Sequence, residues 1–197
     1  MKNQSSRRAS GFTLVELLVV IAIIAVLASA GFAAGNAAIQ KARKTTALAA
    51  ATSIESSVNN FYTEYGSMPT EGEEDTMVLD TGTGKGVDLL RVLLGMEKVT
   101  SPLNTRSVKF LSVREGKSNK GGLIYSGNGT DISGMYDPWG GPYQIALDMN
   151  YDEKITVQPK GDGAKSKILN GRRVAAWSDG ADGVTAKGKV ADDVITW

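Results

Sequence analysis

From Phe12 to Ala34 the chain is apolar at every position except Thr13, Glu16, Ser29 and Gly31. About 20 apolar residues in a helix suffice to cross the hydrocarbon core of a bilayer. The segment is therefore either a membrane span or a secretory signal that is removed. It follows a short polar stretch, Met1 to Gly11, that carries Lys2, Arg7 and Arg8. Ala28-Ser29-Ala30 has the small-x-small pattern of a signal-peptidase site, and on that reading a soluble protein is released. Glu16 argues the other way. A carboxylate inside an apolar span costs roughly 2.5–3.5 kcal/mol on insertion scales, so its presence there needs a reason.

The helical pattern also runs on past Ala30. Ala47, Ala51, Ile54, Val58, Phe61 and Tyr65 recur at steps of three and four, which places them on one face of an amphipathic helix. Gly66 and Pro69 supply a stop. A helix from Phe12 to Tyr65 would extend roughly 80 Å at about 1.5 Å per residue. Its outer stripe needs a partner, and the domain that follows is the obvious one.

Composition narrows the chemistry. Lys and Arg number 22 against 21 Asp and Glu, a balance that argues against binding nucleic acid by bulk charge. The absence of His and Cys removes the commonest general base, the His-assisted nucleophiles, most zinc sites and all disulfides. No spacing of carboxylates locates an acid–base pair, so a membrane-anchored hydrolase has no support in the pattern.

Beyond the helix, residues Met68 to Gly86 read as a loop and Val87 to Leu94 as a short helix. Thr83-Gly84-Lys85 is not read as a phosphate loop, since no Ser or Thr follows Lys85 and no strand is expected before it. Val108 to Val113 reads as a strand and Glu115 to Gly134 as a polar loop. Tyr143 to Leu147 and Lys154 to Gln158 read as a hairpin, with Arg173 to Trp177 as a third strand. Asp148-Met149-Asn150-Tyr151-Asp152 begins like an EF-hand loop, but Glu153 and Pro159 stand where Gly and Glu are needed, so a turn is expected.

Gly11-Phe12-Thr13-Leu14-Val15-Glu16-Leu17 resembles the cleavage and methylation motif of type IV pilins and type II secretion pseudopilins. The resemblance implies that prepilin peptidase cuts between Gly11 and Phe12 and methylates the new Phe12 amine. The mature chain would hold 197 − 11 = 186 residues. It further implies that Glu16, the fifth mature residue, pairs with the Phe12 amine of a neighbouring subunit during assembly. Basic residues flank the span on both sides, with Lys41, Arg43 and Lys44 after it, so charge leaves the orientation open and leader-inside follows from the resemblance. Many relatives carry a Pro where this chain has Ala33, between Gly31 and Gly35.

Two later segments extend the likeness. Asp137-Pro138-Trp139-Gly140-Gly141-Pro142-Tyr143 is similar to a turn of major pseudopilins, expected to dock Trp139 on the core. Ser178 to Gly183, with Asp192, Asp193 and Trp197, resembles their calcium-binding loop. Ca2+ takes six to eight oxygens, and glycine-rich turns let backbone carbonyls converge. Asp182 and Asp193 are the first ligand candidates, then Asp192 and Asp179, while Lys187 and Lys189 in the intervening stretch oppose a cation.

The expected fold is α+β: a long N-terminal helix whose outer half packs on a small antiparallel sheet. The expected parts are a cleaved leader at 1–11, a transmembrane and polymerisation segment at 12–35, an amphipathic segment at 36–66 and a periplasmic domain at 67–197. The resemblance implies a non-enzymatic subunit of a pseudopilus that polymerises with itself and with other pseudopilins on an inner-membrane assembly platform. The alternative is a type IV pilin of a surface fibre.

Overall fold

The computed structural model describes residues 12–72, 78–127, 129–157, 166–183 and 193–197. The elements run α1 (Leu14–Tyr65), β1 (Val78–Asp80), α2 (Gly84–Leu94), β2 (Gly122–Tyr125), β3 (Ile132–Tyr136), β4 (Tyr143–Leu147), β5 (Lys154–Val157), β6 (Lys167–Asn170), β7 (Val174–Ser178) and β8 (Val194–Ile195). The class is α+β, as expected. The chain divides into two units, one up to Lys41 and one from Ala42 onward.

The first unit is the apolar part of α1. Its described side chains are exposed, among them Leu14, Leu17, Ile21, Ile24 and Leu27, with Phe32 at 81%. A helix that is hydrophobic all round has no water-facing side and calls for lipid or other helices around it. This is the one helix among the described residues long and apolar enough to cross a membrane, and it runs unbroken through Ala28-Ser29-Ala30.

In the second unit the rest of α1 behaves as its periodicity requires. Ala47, Ala51, Ile54, Val58 and Phe61 are all buried. The helix ends at Gly66, whose left-handed φ of 70° lets its N–H reach the Tyr62 carbonyl at 2.8 Å. Its buried stripe packs on a four-stranded antiparallel sheet of order β1-β4-β7-β8. β4 and β7 are buried at every position because both faces of the sheet are covered. Ile145, Leu147, Val174 and Ala176 face the α1 and α2 side, whereas Ala146, Ala175 and Trp177 meet Ile155, Val157 and Leu169 of the separate β5–β6 pair. Trp197 stands edge-on to Trp177 at 5.5 Å.

Several local expectations are corrected. The Met68–Gly86 segment is not all loop: β1 lies in it and pairs with β4. α2 starts at Gly84, not Val87, because glycine here permits contact instead of breaking the helix. A Cβ on Gly86 would lie 1.9 Å from the Asp80 carbonyl oxygen, so only glycine lets α2 press on the end of β1. Val108–Val113 is extended but is not a strand. The Phe110 and Leu111 N–H groups donate to the Leu93 carbonyl, and the Ser57 hydroxyl donates to the Phe110 carbonyl. Asn104, buried, donates to the Val92 and Val108 carbonyls and so sets the entry to this segment.

Glu115–Gly134 contains β2 and the first half of β3, which pair with each other. β4 and β5 do not form a hairpin. β4 pairs with β1 and β7, while β5 pairs with β6. The Asp148–Asp152 turn is a corner between sheets, in which the buried Asp148 carboxylate accepts the Asp152 and Glu153 N–H groups at 3.1 and 2.9 Å.

Polar links tie the parts together. Buried Thr81 joins two sheets: its hydroxyl donates to the Met135 carbonyl at 2.6 Å and accepts the Tyr143 N–H at 2.8 Å. Arg172 donates through Nη1 to both Glu55 Oε1 on α1 at 3.0 Å and the Thr196 carbonyl after β8 at 3.1 Å. Arg91 of α2 joins Asp131 at 3.0 Å and Asp88 at 2.6 Å. That guanidinium holds the Asp131 carboxyl below the usual carboxylate range.

Candidate functional site

The first site is the start of α1. Phe12 and Thr13 precede the first helical residue, Leu14, so Thr13 takes the N-cap position and Glu16 the third helical one. Threonine followed three residues later by glutamate is the capping-box spacing. Both halves of that box are formed. The Thr13 N–H donates to Glu16 Oε2 at 2.8 Å, and the Thr13 hydroxyl donates to the same oxygen at 2.7 Å. In return the Glu16 N–H donates to Thr13 Oγ1 at 3.2 Å.

The arrangement has a clear electrostatic sense. The first-turn N–H groups of a helix lack intrahelical acceptors and carry partial positive charge, which favours an anion there. Glu16 is thus held by its own chain at the head of an apolar rod. Phe12 is exposed at 76% and Gly11 lies outside the described residues. Sequence reasoning singled out Glu16 but passed over Thr13, although the capping-box spacing is visible in Thr13-Leu14-Val15-Glu16.

The second site is the end of the four-stranded sheet where β7 stops. Asp179 follows β7 and is buried, Asp182 is exposed in the turn beyond it, and Asp193 immediately precedes β8. The β7–β8 register pairs Ser178 with Val194, so Asp179 and Asp193 each adjoin one member of the last pair. Asp192 lies outside the described residues, as do Lys187 and Lys189. Among the described residues no three carboxylates converge as a metal cluster.

This end is organised by a residue that sequence reasoning did not rank, Asp137. It is fully buried. Its Oδ1 accepts the Trp139, Gly140 and Gly141 N–H groups at 2.8, 2.7 and 2.9 Å. Its Oδ2 accepts the Ser178 hydroxyl at 2.5 Å, and Ser178 Oγ accepts the Gly180 N–H at 3.1 Å. The Asp-Pro-Trp-Gly turn is therefore rigid, as its composition suggests, but the side chain that anchors it is Asp137. Trp139 is only half-buried and stays outside the core. Burial, reinforced by the nearby Asp137 charge, pushes the neighbouring Tyr143 hydroxyl above its ordinary value.

Neither the curated proteins nor the solved structures include a match to this chain. Residues 6–32 match the family model described as the prokaryotic N-terminal methylation motif. That match takes in the second half of the polar leader, the Thr13–Glu16 capping box and most of the apolar run, so the chain carries near its start a prokaryotic N-terminal methylation motif, consistent with a type IV pilin-like protein.

Proposed function

We propose that the protein is a structural, non-enzymatic subunit of a type II secretion pseudopilus. The supporting observation is the methylation motif placed at the head of an apolar helix that is exposed all round and leads into a packed α+β domain. Prepilin peptidase cuts between Gly11 and Phe12 and methylates Phe12. The chain stays in the bacterial inner membrane by a single span, with its C-terminal domain in the periplasm. The assembly platform then adds it to a filament of identical and related subunits.

In that step the Glu16 carboxylate passes from the Thr13 cap to the Phe12 ammonium of a neighbouring subunit. Two charges that are each costly in hydrocarbon attract strongly there when brought together, and that fixes the register of insertion. The Asp-Pro-Trp-Gly turn and the terminal acidic loop favour a pseudopilus over a surface pilus. The acidic loop, with Asp179, Asp182, Asp192 and Asp193 as ligands, takes Ca2+.

Electron microscopy of filaments assembled by the expressing cell tests the function. Short filaments confined to the periplasm are expected, with methyl-Phe12 at the subunit N-terminus. Long surface fibres would assign the chain to the type IV pili instead.

A further inference from the structure

The charge on the second unit is unevenly placed. No carboxylate occurs between Glu16 and Glu55, while Arg43 and Lys44 open the part of α1 that belongs to this unit. A second basic group arrives beside them from elsewhere in the chain. The extended 110–114 segment runs along α1 toward the helix start: Ser57 bonds the Phe110 carbonyl, and Ser53 bonds the Ser112 carbonyl at 3.1 Å. Continuing the same way, Arg114 lines a groove of about 400 Å³ with Thr45, Thr46 and Ala49.

There the chain reverses in a tight turn. Lys117 and Lys120 exchange backbone hydrogen bonds at 3.0 and 3.1 Å, and Ser118 and Asn119 between them have φ of 53° and 55°. Two successive left-handed residues are the mark of a type I′ hairpin turn. Lys117 and Lys120 are exposed on this tip, the stem of Lys120 rests against Gly140, and Arg114 Nε donates to the Gly121 carbonyl at 2.6 Å. The hairpin is thereby held in place.

Arg43, Lys44, Arg114, Lys117 and Lys120 thus share one end of the unit, with Glu115 as the hairpin's single acid. None of the five forms an ion pair among the described residues. Arg91, Lys98, Arg106, Lys154, Arg172 and Arg173 each do.

We propose that this basic end docks on anionic phospholipid headgroups while the subunit waits in the membrane. The inference rests on the membrane-anchored reading above. Arg43 and Lys44 lie nine and ten residues past Ala34, just after Lys41, and headgroups are the first charged layer that the chain meets on leaving hydrocarbon. Lys and Arg held within about a Debye length of an anionic surface are attracted to it, an effect screened by salt. The hairpin adds three cations on backbone that is already ordered.

The chain has no native Cys, so Ser118→Cys gives a single labelling position at the tip, and Thr105→Cys gives a control at the other end of this part of α1, where the adjacent Arg106 pairs with Glu64. The full chain, labelled with a fluorophore, is reconstituted at low protein density into phosphatidylcholine vesicles with or without phosphatidylglycerol, with a headgroup-borne quencher in each. Flotation first reports whether the chain inserts. The expected result is tip quenching several-fold greater in the anionic vesicles, with the control label unchanged. That excess should fall by roughly half or more in 0.5 M salt, and likewise in Lys117→Gln/Lys120→Gln. Equal quenching in both vesicles, with normal flotation, overturns the headgroup site and leaves the anchor intact. An excess that appears only at high protein density overturns it in favour of the acidic loop of a second copy. Failure to float with either vesicle removes the anchored reading and this inference together.

Discussion

The Asp137 carboxylate and the Ser178 hydroxyl, 2.5 Å apart and both buried, join the Asp-Pro-Trp-Gly turn to the last long strand of the sheet. Three N–H groups of the turn end on the same carboxylate. Replacing it by alanine leaves them and Ser178 without that acceptor. Asp137→Ala should cost about 3 kcal/mol or more, since each buried group left unpaired costs about 1–3 kcal/mol. Asp137→Asn retains one acceptor oxygen and should cost less. Urea unfolding of the detergent-solubilised chain, followed by tryptophan fluorescence, measures both, and an unchanged midpoint in the alanine variant would refute the anchor role.

Glu16→Ala should enter the membrane normally and yield no filaments, because insertion depends on the apolar run and registry on the carboxylate. Thr13→Ala should keep the carboxylate but release its orientation, lowering filament yield without abolishing it. Counting filaments by electron microscopy, with membrane fractionation as the control, separates these effects. Wild-type filament density in Glu16→Ala would end the registry argument.

Gly86→Ala should destabilise the second unit by several kcal/mol. The added methyl would meet backbone at the end of β1, which cannot rotate away as a side chain can. Gly35→Ala, where a Cβ meets nothing within 4 Å, should leave that unit unaffected. Thermal unfolding by circular dichroism decides between them.

Asp131 makes a signed prediction about acid. Its folded carboxyl is held below the usual range, chiefly by the Arg91 hydrogen bond, so its contribution is present above about pH 4 and is lost as pH falls through the depressed value. Asp131→Asn should therefore lower the melting temperature at pH 7, and the gap from wild type should close in strong acid. A gap that does not vary with pH would show that the pair contributes through packing alone.

If the acidic loop takes Ca2+, a chelator should lower the melting temperature by about 5–10 °C at a metal concentration near a hundred times the Kd, and Asp193→Ala should abolish the response. A transition indifferent to chelator would remove the cation from the account.

The parts legible in the sequence were those written in a local period. The α1 stripe from Ala47 to Phe61 repeats every three or four residues, and those residues are the buried ones. Val108–Val113 misled because alternating apolar residues describe any half-buried extended chain. Whether such a chain joins a sheet depends on its partners, here Leu93 and Ser57, which lie far away in sequence. The expected hairpin failed for the same reason: adjacency favoured β4 with β5, but β7 covers β4 edge to edge in a register that no local pattern encodes. At the sites, the Thr13–Glu16 box was readable from spacing alone. Asp137 was not, because a buried carboxylate looks in sequence like any acid at a turn.

Arg172 carries a mechanical consequence. One guanidinium nitrogen grips Glu55 on the long helix and the backbone just after β8. Tension entering through α1 therefore reaches the outermost strand directly, without first passing through the β4–β7 ladder. Load applied along α1 would thus be shared between the helix and the edge strand, because the same guanidinium holds both.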